Sequence, residues 1–346
     1  MENSKGKNSF QEFIAGVVPV LIYIGKRLLM MIPILLIIAL LLFLICDKMP
    51  GNPLASYIDI ERMDPNIDLE ALARLYGLDK PWYIRFSIWI KELAQGNLGY
   101  SIVYKKMVVD LIPSYIGNSL KLNIFAFILA FIIAIVVGIR SAVKRYSAFD
   151  NFWTVFSILG ISMPGFFMAM LLLFIFAINL RVLPFSGMVD PRANYTGFAL
   201  LLDKAVHMIL PVTVICLTSI ASLVRYVRNA MLEVLKQDYI RTAKSKGLKD
   251  KVIIYRHAFR NALLPVITLI GFYIPSLFGG SLLVEKIFVW PGIGNLLNSA
   301  YSSKDRQVIL TITLFYAALT LLANLFVDVS YALVDPRIRV GGSDNG

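Results

Sequence analysis

The stretch SLKLNIFAFILAFIIAIVVGI, residues Ser119–Ile139, is an apolar run whose only charged side chain is Lys121, near its start. A helix needs about 20 consecutive apolar residues to cross the roughly 30 Å hydrocarbon layer of a bilayer. The long Lys121 stem can carry its ammonium group to the polar interface. The run therefore predicts a transmembrane helix.

Five other stretches have the same character, and together they predict an all-α integral membrane protein with six spans. Composition agrees, because 58% of the 346 residues are hydrophobic and only 16% are charged, against roughly 25% charged in soluble domains. Soluble, fibrous and disordered classes are excluded. The other predicted spans are Leu28–Cys46, Phe152–Ile178, Val206–Val224, Leu263–Leu283 and Val308–Leu333.

The distribution of basic residues predicts the orientation of these spans. With the N-terminus inside, the inner segments carry 19 Lys and Arg residues and the short outer loops carry 6. Basic residues concentrate in cytoplasmic loops, so both termini, residues 1–27 and the tail 335–346, are predicted to be cytoplasmic. The net charge of +12 follows the same bias.

The loop at residues 47–118 is predicted to be a large, helical extracytoplasmic segment. Asp68–Leu78 and the residues after Pro81 both have helical apolar spacing, and Gly96–Gly99 is a predicted turn. A further short helix is expected before Pro113. Two roles stay open, a structural cap on the membrane surface or a docking surface for an external partner.

The chain has no recognisable catalytic or nucleotide-binding machinery. No GxxxxGK[ST] phosphate-binding loop is present, and two cysteines and two histidines are too few for a disulfide framework or a metal cluster. The spans carry few charges. Carriers driven by ion gradients usually have ionisable groups near mid-membrane, but Asp328 lies near the inner end of the last predicted span. Asp328 is predicted to be interfacial or to partner a nearby cation. We therefore expect a non-enzyme, with a stand-alone secondary transporter or channel as the alternative and an integral-membrane enzyme as a less favoured one.

A basic cytoplasmic loop, residues 225–262, carries most of the functional information. An i, i+3, i+4 apolar pattern from Met231 to Ala243 predicts a helix, Gly247 stands where a helix C-terminal glycine should, and Asp250 is expected to cap a second helix. From the residues alone this loop either touches anionic lipid or is a coupling helix that docks on a cytoplasmic motor. Nucleic-acid binding is disfavoured for a lone basic loop between spans.

The loop also carries a family resemblance. Arg241-Thr242-Ala243, Gly247 and Leu264-Pro265 resemble the E-A-A…G…L-P loop of the permease subunits of ABC importers, most closely the oligopeptide/dipeptide permeases. Arg241 replaces the Glu of the general pattern. The resemblance runs from about Leu28 to Arg339, and its other motifs are Tyr76–Pro81, Gly96–Gly99, Ser162–Pro164, Arg256–Ala262, Trp290–Gly294 and Asp335–Arg337.

The resemblance implies a bacterial-type inner-membrane permease that forms half of a pathway for peptides. It implies a heterodimer with a second permease subunit, two cytoplasmic ATPase subunits that bind ATP and Mg²⁺, and an extracytoplasmic substrate-binding protein. Membrane lipid surrounds the chain, which itself has no cofactor. Import of nickel or another small solute by the same architecture is an alternative. The residues expected to couple to the ATPases are Asp238, Tyr239, Arg241, Thr242, Ala243 and Gly247.

Small polar residues and helix breakers within the spans are further candidates. Small polar side chains can line a water-filled cavity, although Ser and Thr also bond between helices. Proline and glycine permit kinks. The pathway candidates are Asn123, Ser157, Ser162, Thr213, Thr218, Ser222 and Asn324. The hinge candidates are Pro164, Gly165, Pro275, Gly279 and Gly280.

Overall fold

A computed structural model describes residues 2–49, 71, 74, 78–101, 103–279 and 281–334. Side chains are described for these residues except 2–20, 264–270, 272 and 330–334. The predicted helix at Asp68–Leu78 lies largely outside the described residues, as do the tail motif Asp335–Arg337 and the hinge candidate Gly280.

The described part of the chain is almost entirely helical. A two-residue antiparallel hairpin, β1 (Tyr100–Ser101) with β2 (Lys106–Met107), pairs Tyr100 with Met107. The helices are α1 (Glu2–Asp47), α2 (Trp82–Ala94), α3 (Val108–Val143), α4 (Ala148–Ser162), α5 (Gly165–Leu173), α6 (Gly197–Leu235), α7 (Asp238–Ser245), α8 (Asp250–Val252), α9 (Phe259–Gly279), α10 (Leu282–Ile287), α11 (Ile293–Ser303) and α12 (Arg306–Val334), with π-helical turns at Phe174–Asn179 and Ile253–Ala258.

Four described helices are long and apolar enough to cross a bilayer. They correspond to the first, second, fourth and sixth predicted spans, and their apolar stretches are Leu21–Asp47, Val108–Val143, Gly197–Leu235 and Arg306–Val329. The fifth predicted span falls on α9, where several side chains lie outside the described residues. The count of six spans therefore stays a prediction.

The third predicted span, Phe152–Ile178, is not one straight helix. The chain bends by 101° between α4 and the segment Gly165–Asn179. Met163 has an extended ψ of 124°, because a residue before proline is pushed out of the helical region. Counted as one broken span, the pair is the fifth candidate crossing.

A second correction concerns the start of α3. The predicted short helix before Pro113 does not exist as a separate element, since α3 runs without interruption from Val108 and carries Pro113 in its second turn. Pro113 removes one intrahelical hydrogen bond, the one that an N–H at this position would donate to the Val109 carbonyl, and the helix continues through it. The predicted turn at Gly96–Gly99 is confirmed, with φ of 82° at Gly96 and 84° at Gly99.

Helices α3 and α6 form the centre of the bundle. Their close approach requires Gly138, because a Cβ there would lie 2.7 Å from Cβ of Val227. Around them, separate apolar clusters form at the two ends of α3. One joins Val108 to Trp89 and to α11 and α12, and the other joins Ile139 to α7 and the π-helical turn Ile253–Ala258.

Ion pairs attach α1 to its neighbours. Arg27 contacts Asp328 at 2.7 Å, so the predicted cation partner of Asp328 lies in α1, directly before the first predicted span. Asp47 accepts two hydrogen bonds from Arg85, at 2.5 and 2.9 Å. The second pair holds the amphipathic helix α2 against the end of the first span.

Candidate functional site

The predicted coupling segment is a separate short helix, α7, and not the continuation of α6. The chain turns at Gln237, whose ψ of 148° is extended. The turn allows Met231 of α6 and both Ile240 and Ala243 of α7 to pack in one apolar cluster. One straight helix would instead carry Ala243 about 18 Å beyond Met231 at 1.5 Å per residue. The predicted continuous helix from Met231 to Ala243 was therefore wrong at residues 236–237.

The two faces of α7 differ sharply in exposure. Ile240 is 1% exposed and Ala243 is 8% exposed, and both contact the cluster formed by the ends of α3 and α6. The side chains of Asp238 and Arg241 are 96% and 77% exposed, with 3.7 Å between their charged atoms. Thr242 is also exposed, and its hydroxyl donates to the Asp238 carbonyl. Ala243 thus anchors the helix, while its neighbours present a polar surface.

The C-terminus of α7 is closed by a glycine motif, as predicted. Gly247 has φ of 75°, a left-handed value that favours glycine. Its N–H donates to the Lys244 carbonyl at 2.9 Å, and the Leu248 N–H donates to the Ala243 carbonyl at 3.4 Å. These two bonds form a Schellman motif, which ends the helix sharply.

The second helix of the loop begins one residue from the predicted cap. Lys249 is the N-cap, and Asp250 lies in the first turn of α8. A negative charge at this position interacts favourably with the helix dipole. The chain then passes through the π-helical turn Ile253–Ala258 into α9. Asn261 of α9 donates to the Tyr239 hydroxyl at 3.1 Å, which ties α9 to α7.

Four of the seven pathway candidates line described cavities, but these four residues are divided among three cavities. Asn123 lines a cavity of about 150 Å³, and Thr218 with Ser222 lines one of about 390 Å³. These two cavities adjoin, because Ile215 and Ser281 line both. Ser157 lines a third cavity of about 180 Å³ elsewhere in the bundle.

The remaining pathway candidates, Ser162, Thr213 and Asn324, are not among the residues that line these three cavities. The Thr213 hydroxyl bonds to the Ile209 carbonyl of its own helix at 2.7 Å. Thr218 and Ser222 also make such local bonds, and the Ser222 hydroxyl lies 3.3 Å from that of Tyr273. Asn123 donates to the Leu277 carbonyl at 3.0 Å, which links α3 to α9.

The four hinge candidates that the structure describes lie at helix ends or within one helix. Pro164 and Gly165 lie at the 101° bend between α4 and α5. Pro275 lies inside α9, and Gly279 is its last residue. The Gly279 carbonyl accepts a hydrogen bond from the Tyr316 hydroxyl at 2.6 Å.

The sequence-based prediction missed a buried carboxylate, that of Glu285, which packs against the Trp290–Gly294 motif. Glu285 is fully buried and accepts hydrogen bonds from the Ser119 hydroxyl at 2.6 Å and the Asn295 N–H at 3.1 Å. Burial raises the pKa of Glu285, and these hydrogen bonds lower the pKa by less. The available signal was the pair of glycines in the motif, since a Cβ added at either Gly292 or Gly294 would lie within 3 Å of this carboxylate.

A second missed feature connects α4 to α6. Arg228 donates to both carboxylate oxygens of Asp150, at 2.6 and 2.8 Å. Asp150 also accepts from the Tyr146 N–H, and the Ser147 hydroxyl accepts from the Asp150 N–H. Ser147 and Asp150 thus form a cap at the start of α4. The Asp150 carboxylate of this cap also pairs with Arg228, which lies 78 residues away in the sequence.

Residues 134–340 match the family described as binding-protein-dependent transport system inner membrane component. The chain belongs to this family. As an inner membrane component it is a membrane subunit of a transport system that depends on a binding protein, and its apolar helices make it a multi-pass membrane protein.

Similar proteins cover almost the whole of this inner membrane component. The oligopeptide transport system permease protein AppB of Bacillus subtilis is 41% identical over 92% of this chain and 99% of its own length. The di/tripeptide transport system permease protein DppB of Pseudomonas aeruginosa is 38% identical, over 92% and 98%. The dipeptide transport system permease protein DppB of Escherichia coli is 36% identical, over 92% and 98%.

Among solved structures, an inward-facing MetNI methionine ABC transporter matches this inner membrane component with a TM-score of 0.47 at 13% identity. The match covers 64% of this chain and 97% of the other.

Proposed function

We propose that the chain is one of two homologous permease subunits of an ATP-driven peptide importer in a bacterial inner membrane. The observation that carries the proposal is the near full-length similarity, at 36–41% identity, to permeases named for oligopeptide, di/tripeptide and dipeptide transport. An external binding protein delivers the peptide. Two cytoplasmic subunits bind and hydrolyse ATP with Mg²⁺, and this chain supplies half of the pathway.

The proposed topology has six spans, with both termini in the cytoplasm. The excess of basic residues in the inner segments supports it. Arg241 of α7 follows the C-terminal end of α6, and Arg192 precedes its N-terminal end. A helix of 39 residues is roughly 58 Å long at 1.5 Å per residue, which is long enough to cross a bilayer. The proposed topology therefore puts the two residues on opposite sides of the membrane.

The exposed side of α7, made by Asp238, Arg241 and Thr242, is the proposed contact for an ATPase subunit. Its buried side touches the ends of two long helices and the π-helical turn, through Ile240 and Ala243. A displacement of α7 therefore reaches α3, α6 and the segment leading into α9 at once. This arrangement converts ATP-driven closure of the motors into reorientation of the spans.

The adjoining cavities around Ile215 and Ser281 are the proposed part of the pathway in this subunit. Asn123, Thr218 and Ser222 give them hydroxyl and amide groups among apolar walls. Such groups can exchange hydrogen bonds with any peptide backbone without selecting side chains. Substrate choice then lies with the external binding protein.

Reconstitution tests the proposed function. The full-length chain, isolated with the subunits that co-purify with it, is placed in proteoliposomes together with its binding protein. We expect ATP-dependent uptake of labelled di- and oligopeptides and co-purification of an ATPase pair. A chain that transports as a homo-oligomer without ATP, or uptake of nickel but no peptide, would contradict the proposal.

A further inference from the structure

The third cavity, of about 180 Å³, lies between the C-terminal part of α3, helix α4 and the C-terminal half of α6. It is separate from the two adjoining cavities proposed for the pathway, with which it shares no lining residue. Its polar lining residues are Ser141, Thr154, Ser157, Arg225, Arg228 and Asn229.

Two hydroxyls at this cavity have no hydrogen-bond partner in the part of the chain that the structure describes. Ser141 and Ser157 are 0% and 3% exposed, and neither Oγ atom is bonded within the described residues. By contrast, the hydroxyls of Thr213, Thr218 and Ser222 bond to carbonyls in their own helix. Burying a hydroxyl without a partner is unfavourable. The pair therefore marks a place where a ligand can supply the missing oxygen acceptors.

The charge of the lining is positive. Arg228 uses Nε and Nη2 for Asp150 and leaves Nη1 outside that pair. Arg225 is exposed at the cavity. No carboxylate is among the lining residues, and the charge of Asp150 is matched by Arg228. Arg225 thus gives the cavity a net positive charge, beside the amide of Asn229.

We propose that this cavity binds a phosphate group. Guanidinium groups suit phosphate geometrically and electrostatically, and hydrogen bonds to an ionised acceptor are about twice as strong as neutral ones. Arg225 and the hydroxyls of Ser141 and Ser157 are the donors that hold the phosphate oxygens. The source is either free phosphate or the headgroup of an anionic phospholipid.

The surroundings accommodate a lipid as well as a free ion. On α4, beside the cavity, the side chains of Phe152, Val155 and Leu159 are 55–61% exposed. Acyl chains of a lipid whose headgroup occupies the cavity would lie along this apolar surface. A free phosphate would use the same polar groups and leave the α4 surface unaffected.

The test uses the full-length chain with its co-purifying subunits and two probes. Inorganic phosphate is titrated calorimetrically in detergent. Phosphatidylglycerol is compared with phosphatidylcholine in nanodiscs by native mass spectrometry. The variants are Arg225→Gln and the double substitution Ser141→Ala/Ser157→Ala, which removes only unpartnered hydroxyls and should fold. The control is Arg256→Gln, an exposed arginine that does not line the cavity.

We expect Arg225→Gln to weaken binding about tenfold, the double serine variant to weaken it several-fold, and Arg256→Gln to leave it unchanged. If these variants lose binding of inorganic phosphate, the ligand is a free anion. If they lose only the binding of phosphatidylglycerol, the ligand is a lipid headgroup. The proposal is overturned if neither probe binds the wild-type chain. It is also overturned if Arg256→Gln weakens binding as much as Arg225→Gln, or if the serine variant binds normally, because diffuse surface charge would then explain the effect.

Discussion

The Ser119 hydroxyl donates a hydrogen bond to Oε1 of Glu285 at 2.6 Å across 166 residues of sequence. The same hydroxyl oxygen accepts the Ile293 N–H at 2.8 Å. Beside it, the Trp290 indole donates to the Asn118 carbonyl, and Asn118 donates to the Pro291 carbonyl. The Trp290–Gly294 motif is thus fastened to α3 by a buried polar network.

This network leaves no space for a side chain at Gly292. A Cβ there would lie 2.5 Å from both the Glu285 carboxylate and the Ser119 hydroxyl. We expect Gly292→Ala to lower the free energy of unfolding by about 1–3 kcal/mol, the usual cost of overpacking. Thermal melts of the purified chain measure it.

The matched control is Gly117→Ala, at the residue directly before Asn118 in α3. Nothing lies within 4 Å of a Cβ at Gly117, and alanine is the better helix former by about 1 kcal/mol. That variant should melt at the wild-type temperature or above it. Equal melting of both variants would refute the tight packing of the motif.

Glu285 should also make stability depend on pH. Burial raises its pKa above the ordinary value of 4.5, so the folded chain retains the proton to higher pH than the unfolded chain. The resulting stabilisation is complete below about pH 4.5 and is lost as pH rises through the raised pKa.

Glu285→Gln removes this titration while keeping the shape of the side chain. Asp305 is also buried with a raised pKa. It contributes the same pH dependence of stability to the wild type and to the Glu285→Gln variant, so its effect cancels in their difference. We expect the difference in melting temperature, wild type minus variant, to fall as pH rises from 4.5 to 8. A difference that stays constant over this range would show that Glu285 does not titrate differently on folding.

Ile240 anchors α7 through apolar contact alone. Because it is 1% exposed, truncation in Ile240→Ala should cost about 2–4 kcal/mol locally. We expect faster amide hydrogen exchange across residues 238–245 and loss of substrate-stimulated ATPase activity. Leu248→Ala, whose side chain is 41% exposed, should leave both measurements at wild-type values. Unchanged exchange in Ile240→Ala would mean that the apolar cluster does not hold α7.

The pair Asp150–Arg228 should show strong energetic coupling. Asp150 is 1% exposed, and Arg228 is 20% exposed. Removing one partner leaves an uncompensated charge, so Asp150→Asn and Arg228→Gln should each cost about 3 kcal/mol. In a double-mutant cycle measured by chemical unfolding, we expect the double variant to cost at least about 1 kcal/mol less than the sum. Additive costs would show that the two charges stabilise the bundle independently.

Local patterns in the sequence predicted the features that depend on neighbouring residues. Apolar length placed four of the long helices, and the glycine rule placed the end of α7 at Gly247. The i, i+3, i+4 rule also identified Ile240 and Ala243 as apolar positions of one face. These features depend on backbone geometry and on side chains within a few residues of one another.

Features set by distant contacts could not be predicted in this way. Pro164 predicts a kink, but the 101° angle depends on how α4 and α5 pack on α6. The turn at Gln237 carries no breaker residue, and it forms because Ile240 and Ala243 find a cluster made by other helices. The partners of Glu285 and Asp150 come from 166 and 78 residues away, so no local pattern reveals them.

Cysteine cross-linking of α7 tests the central claim, that its exposed face receives the ATPase. Arg241→Cys is placed in a chain whose buried Cys46 and Cys216 are replaced, with Arg192→Cys at the other end of α6 as the control. The account predicts a cross-link from residue 241 to a co-purifying ATPase subunit that changes with ATP, and none from residue 192. Labelling of residue 241 from outside the cell, or a cross-link to the ATPase from residue 192 alone, would contradict it.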